Sequence, residues 1–219
     1  MPAMNVLKRA LMAGVASVGL FAVAAAPAHT LIPTGWAGGH QSVSVVNPTY
    51  GGEAGGFAGT WDGNAIQFWC YELGQSFTFN HSYTDYSLGT PTNEDLLSKL
   101  FQEAYAHALD DAQHSAAFQL AIWEILYDSD LNLFSGMGTF HTTRTANATD
   151  LLAQSWLDGL AGFSDNGDIV LYHSADHQDF IGRKPPGDLP EPAPLALIGL
   201  GVVAMLVAKR RRGDGEPRA

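Results

Sequence analysis

The sequence predicts an α+β fold, with a strand-rich lobe packed on a helical lobe in a single mature domain. Three observations carry that expectation. Strand-like alternation clusters in the first third, apolar residues at helical spacing fill the middle, and a short strand pattern returns late.

Taken in order, residues 1–28 read as a cleavable export signal. Lys8 and Arg9 precede an apolar run over 10–26, and Ala26-Pro27-Ala28 supplies small residues before His29. Ser-Val-Ser-Val-Val at 42–46 alternates like a strand, and the glycine-rich 51–59 reads as turn and edge. Residues 66–73 form the clearest strand, bounded by Asp62-Gly63-Asn64 and Gly74. Alternation puts Phe68, Cys70 and Glu72 on one face, with Trp69, Tyr71 and Leu73 on the other. Residues 76–79 are expected to continue the sheet after a turn.

A first helix is expected to start at Pro91 or Thr92 and to carry Leu96, Leu97, Leu100, Phe101, Ala104, Tyr105 and Ala108. A second is expected over 111–127. Residues 116–127 are apolar on nearly every side, interrupted by Gln119 and Glu124, which marks a buried helix. A third, over 146–160, carries Leu151, Leu152, Trp156 and Leu160, and a turn at 165–168 leads into a strand over 169–172. The mature domain is expected to span 29–182. Pro185, Pro186, Pro190 and Pro192, with Pro194 just beyond, then make 183–193 a stiff linker. An apolar run over 194–208 follows as a membrane segment. The tail over 209–219 begins Lys-Arg-Arg-Arg, which holds that end on the cytoplasmic side. Snorkelling arginines and a thinned bilayer make up for a run shorter than the ~20 residues an upright span needs.

Between His29 and Pro192 stand twenty acidic and four basic side chains, a formal balance of −16. Such a surface repels phosphate backbones, so nucleic acid is excluded as a partner. The chain has one cysteine, Cys70, so an exported domain carries an unpaired thiol and no internal disulfide. Gln119 is the second anomaly, a primary amide on a helix face shared with Ile122, Trp123 and Leu126. A buried amide must find partners for its donors and its acceptor.

Together these residues resemble the thioester domains of bacterial surface proteins. The resemblance lies in the aromatic-flanked cysteine of Phe68-Trp69-Cys70-Tyr71-Glu72 and in Gln119-Leu120-Ala121-Ile122-Trp123, a Gln-x-Ala-aliphatic-Trp motif about fifty residues later. It covers roughly residues 43–180. It implies that the Cys70 thiol condenses with the Gln119 side chain, expels ammonia and leaves an internal thioester. In this picture the strand-rich lobe carries the cysteine and the helical lobe the glutamine. Phe68, Trp69, Phe118 and Trp123 would exclude water, and Glu72 would shuttle a proton.

The C-terminus is similar to the PEP-CTERM sorting signal of biofilm-forming Gram-negative bacteria. Pro190-Glu191-Pro192, the apolar run and the basic block stand in the same order, although 213–219 extends past the block. That likeness implies an exosortase-type processing enzyme as partner. It further implies transient retention in the inner membrane, then a place at the cell surface or in the extracellular matrix.

Three functions stay open at this level. The first is covalent attachment to amine or hydroxyl groups of a surface or matrix polymer, by a single-use electrophile rather than an enzyme. The second is an inert matrix or envelope protein. The third is a cysteine hydrolase pairing Cys70 with His107 or His114. No cofactor is expected. No metal is expected either: Asp128-Ser129-Asp130-Leu131-Asn132 imitates the start of a calcium loop but lacks its later glycine and acidic ligand. His173 and His177 lie four apart outside a helix, which gives them no shared face.

Overall fold

The computed structural model describes residues 28–134, 138–143 and 147–186. The signal region and the whole sorting tail, Pro190, Glu191 and Pro192 included, lie outside the described residues.

Among the described residues, seven strands and three α-helices make an α+β structure dominated by one antiparallel sheet. The strands are β1 (His29–Val46), β2 (Tyr50–Trp61), β3 (Asn64–Cys70), β4 (Tyr83–Gly89), β5 (His141–Thr142), β6 (Ile169–His173) and β7 (Phe180–Arg183). The order β2-β3-β7-β6-β4-β1-β5, with β1 also paired to β2, closes six of them into a ring. Closure gives each of those six strands a neighbour on both sides, though not along its whole length. Inside the ring sit Leu31, Phe57, Trp61, Phe68, Tyr86, Val170, Tyr172 and Phe180. Trp69 and Ile181, one residue on from Phe68 and Phe180, turn outward, as a period of two requires.

The outward face is covered by α1 (Glu94–Ala104), α2 (Ala112–Tyr127) and α3 (Ala148–Gly159). Asp111 caps α2 by accepting from the His114 N–H, and Asn147 caps α3 through the Thr149 and Asp150 N–H groups. Helix α2 lies against β1, β2, α1 and α3 at once, which is why every residue from Ser115 to Ile125 is buried. The all-round apolar stretch expected there is therefore present.

Several expected elements differ. β1 runs eighteen residues rather than five, with irregular register near Pro33/Gly35 and Ala37/Gln41. Gly38, at φ +74°, sits in the second irregularity, and an added Cβ would fall 2.8 Å from the Leu109 Cα. The glycine-rich segment expected as turn and edge is the paired strand β2, because glycines let neighbouring groups approach closely. Residues 76–79 form no strand; their rings at Phe77 and Phe79 pack beside Phe57 instead. Strand β3 ends at Cys70, so Glu72 stands just past it. β7 runs to Arg183, whose guanidinium lies 4.3 Å from the centre of the Tyr105 ring, and the Lys184 N–H donates to Asp168 O. Among the described residues no helix is long and apolar enough to cross a membrane.

Candidate functional site

The site begins where strand pairing stops. β2 pairs with β3 only as far as Phe57–Phe68, whereas β7 continues opposite Cys70 at Phe180. The Tyr71 N–H goes to the β7 side, to Asp179 O, at 2.9 Å. On the other side the backbone of Cys70 has no strand partner. The side chain of Gln119 fills that place: its Oε1 accepts from the Cys70 N–H at 2.9 Å, and its Nε2 donates to the Cys70 carbonyl at 2.9 Å. The carboxamide thus acts as one peptide unit of a missing strand. Gln119 is 1 % exposed, and this pair of bonds meets the demand that burial places on its amide.

The helix is held at that height by a second polar clip. Buried Ser115 accepts from the Gly56 N–H at 2.7 Å and donates to Ala37 O at 3.1 Å, fastening the first turn of α2 to β1 and β2. One helical turn later the same face delivers Gln119 to Cys70.

A cavity of about 290 Å³ opens beside Cys70. Its wall includes Tyr50, Trp123, Phe77, Glu53, Glu72 and Gln178. Tyr50 meets Trp123 edge to face at 5.4 Å. Of the pocket residues expected from sequence, Glu72 and Trp123 line this cavity. Phe68 faces the ring interior, and Trp69 and Phe118 pack against each other at 4.8 Å in the core beneath the helices. Tyr50, Phe77 and Gln178 went unrecognised in the sequence, since each sits in a segment whose strand or loop partner is distant along the chain.

The electrostatics are those of an acidic, partly buried pocket. Burial, reinforced by the Glu72 charge, pushes the Cys70 thiol well above its usual range, so it stays protonated near neutrality. Burial also pushes Glu72 up to about 7. Its Oε1 accepts from the Asp179 N–H at 2.9 Å and from Gln178 Nε2 at 2.8 Å, while the nearby Asp179 charge adds to the rise. No histidine lines the cavity. His107 is exposed and bonds Asp110, His114 bonds its own capping Asp111, and neither is among the residues that line the cavity beside Cys70.

Residues 188–212 match the PEP-CTERM protein-sorting motif. The motif marks an exported protein whose C-terminal sorting signal is recognised by an exosortase. No curated protein and no solved structure matches the chain.

Proposed function

We infer that this is a surface or matrix protein that forms a thioester between Cys70 Sγ and the Gln119 side-chain carbonyl, and that it uses the bond for covalent attachment. The observation that supports the reading is the clamping of the Gln119 carboxamide onto the backbone N–H and carbonyl of Cys70 by two hydrogen bonds, at the wall of an aromatic cavity. Holding two groups in contact supplies effective molarities of about 10⁵–10⁸ M, which a poor nucleophile and a poor acyl donor both need.

In the condensation, Cys70 sulfur attacks the amide carbon of Gln119. The S–C bond forms, the C–N bond breaks, and the thiol proton leaves with the nitrogen as ammonia. The Cys70 N–H, already donating to Gln119 Oε1, stabilises the negative charge that develops on that oxygen. Glu72, with a pKa near neutrality and a place on the same cavity wall, holds the proton in transit. An amine or hydroxyl of a surface or matrix polymer then attacks the same carbon and expels the thiol. Each copy reacts once, so the protein is a covalent binder and not a turnover enzyme. The strand-rich part that carries the cysteine and the helical part that carries the glutamine act as the two jaws. After export the protein is held briefly in the inner membrane by its sorting tail, then reaches the cell surface or extracellular matrix.

The same hydrogen bonds also suit an inert matrix protein in which Gln119 only completes the sheet, and intact mass separates the two. Folded protein is expected to be lighter than its sequence by one ammonia, with the deficit lost in Cys70→Ala and Gln119→Ala. Methylamine is expected to replace the deficit with its own added mass and release one thiol. Full sequence mass with a freely titrating thiol in fresh folded protein would leave the inert reading in place.

A further inference from the structure

Helix α2 carries a second group with no role in the thioester. Glu124 is fully buried, and neither of its carboxylate oxygens has a well-formed hydrogen-bond partner; the Asn132 backbone and the Asp130 carboxyl stand near it. An isolated buried carboxylate is among the most costly groups a fold can contain. Its surroundings add to that cost. Glu124 lies in the last turn of α2, where the helix dipole is negative and no basic residue is present. Asp128 caps the same end, and Asp130 follows two residues on. Among the described residues, no basic side chain pairs with any of the three.

Their geometry answers the problem. One carboxylate oxygen from each of Glu124, Asp128 and Asp130 lies within 4.8 Å of the others. Oxygens that share one calcium ion at about 2.4 Å each stand no more than about 4.8 Å apart. The donors are all hard oxygens, with no histidine or thiol among them, which selects against zinc. Burial grades from Glu124, fully covered, through half-buried Asp128 to exposed Asp130, so the cluster has an inner anchor and an open side.

We propose that Glu124, Asp128 and Asp130 form a binding site for a divalent cation of the calcium class, clasping the C-terminal end of α2 to the loop that follows it. The sequence expectation of no ion compared 128–132 with a loop template and so left out Glu124, which stands on the helix before that loop. A cation here supplies the positive charge that the helix end lacks, with water completing its shell. It would brace the helix that presents Gln119, but the site is independent of thioester formation, which the intact mass reports separately.

The test uses the full-length protein in detergent, stripped with a chelator. Terbium alone is added first, with excitation through tryptophan, because Trp123 adjoins Glu124 in the chain. Sensitised luminescence is expected and calcium should displace it. Calcium at about a hundredfold excess over its dissociation constant should raise the thermal midpoint by roughly 5–10 °C. Glu124→Gln, nearly isosteric, and Asp130→Asn, at an exposed position that the fold tolerates, should each weaken binding at least about tenfold. A wild-type midpoint indifferent to calcium and chelator, with terbium luminescence no stronger than in Asp130→Asn, would overturn the site and leave Glu124 neutralised by a proton. Equal calcium responses in the parent and both variants would overturn it too.

Discussion

At the scale of single residues, Glu72 couples the pocket to pH. Its folded pKa, about 7, lies above the ordinary 4.5, because burial penalises the charged form and Asp179 repels it. The neutral form is thus favoured on folding. Its contribution to stability is complete below about pH 4.5 and is lost as pH rises through about 7. Glu124 shifts in the same direction, to about 8, so the parent alone does not isolate the effect. Glu72→Gln keeps an acceptor for the Asp179 N–H and removes the titration. The parent is expected to lose on the order of 1–2 kcal/mol relative to Glu72→Gln between pH 4.5 and 7.5, a figure reduced for solvent screening of a half-buried group. Urea midpoints of the two proteins across that range check it, and parallel profiles would show that Glu72 is not held neutral by the fold. The residues of this pocket were only partly legible in the sequence. Cys70 and Gln119 stood out because a lone thiol and a buried amide are anomalies on their own. Tyr50 and Gln178 look ordinary until the sheet closes and brings 50, 72, 123 and 178 together.

At the scale of elements, the close approach of β2 to the helical layer decides whether the site assembles. Gly56 is the tight point: an added Cβ would stand 2.8 Å from the Trp69 ring, and the Gly56 N–H is the donor to Ser115 that fixes α2. Gly56→Ala is expected to cost about 1–3 kcal/mol, since a buried indole surrounded by Phe101, Tyr105 and Phe118 has little room to move. Chemical denaturation measures the cost, and incomplete ammonia loss in the intact mass would report the displaced Gln119. An unchanged midpoint would mean that the strand and helix part readily. This contact also explains what could be read beforehand. The helices announced themselves through apolar spacing and caps, both local signals. β2 did not, because its glycines serve a neighbour distant in sequence and match the composition of a turn. β5 and β7 are short, and the pairings β1–β4, β1–β5, β3–β7 and β4–β6 join segments distant in sequence, so no adjacent pattern announces them; β6–β7 is local.

At the scale of the whole molecule, the folded body and the sorting signal are successive parts of one chain. The body's last strand ends at Arg183, stacked on Tyr105, and the Lys184 N–H is tied to Asp168. The matched sorting motif starts at residue 188, after these last contacts. Processing within the motif therefore removes no strand or helix that holds Cys70 against Gln119. We expect the basic block at 209–212, which closes the matched motif, to have a different task, since Lys and Arg beside a membrane segment bind anionic headgroups. The acidic body, with eighteen acidic and four basic side chains over 29–187 and so a balance of −14, is repelled by the same headgroups. Deleting 209–212 is expected to impair membrane retention and C-terminal processing in a host with a matching exosortase. Replacing Pro190, Glu191 and Pro192 with alanine is expected to block processing while the protein stays membrane-held. In both variants the thermal midpoint of the body and its mass deficit should equal those of the parent. Fractionation, C-terminal mass mapping and melting of the same preparations check all three readouts. Normal processing of both variants would remove the sorting role from these residues, whereas a lowered midpoint would show that the tail contributes to the folded body after all.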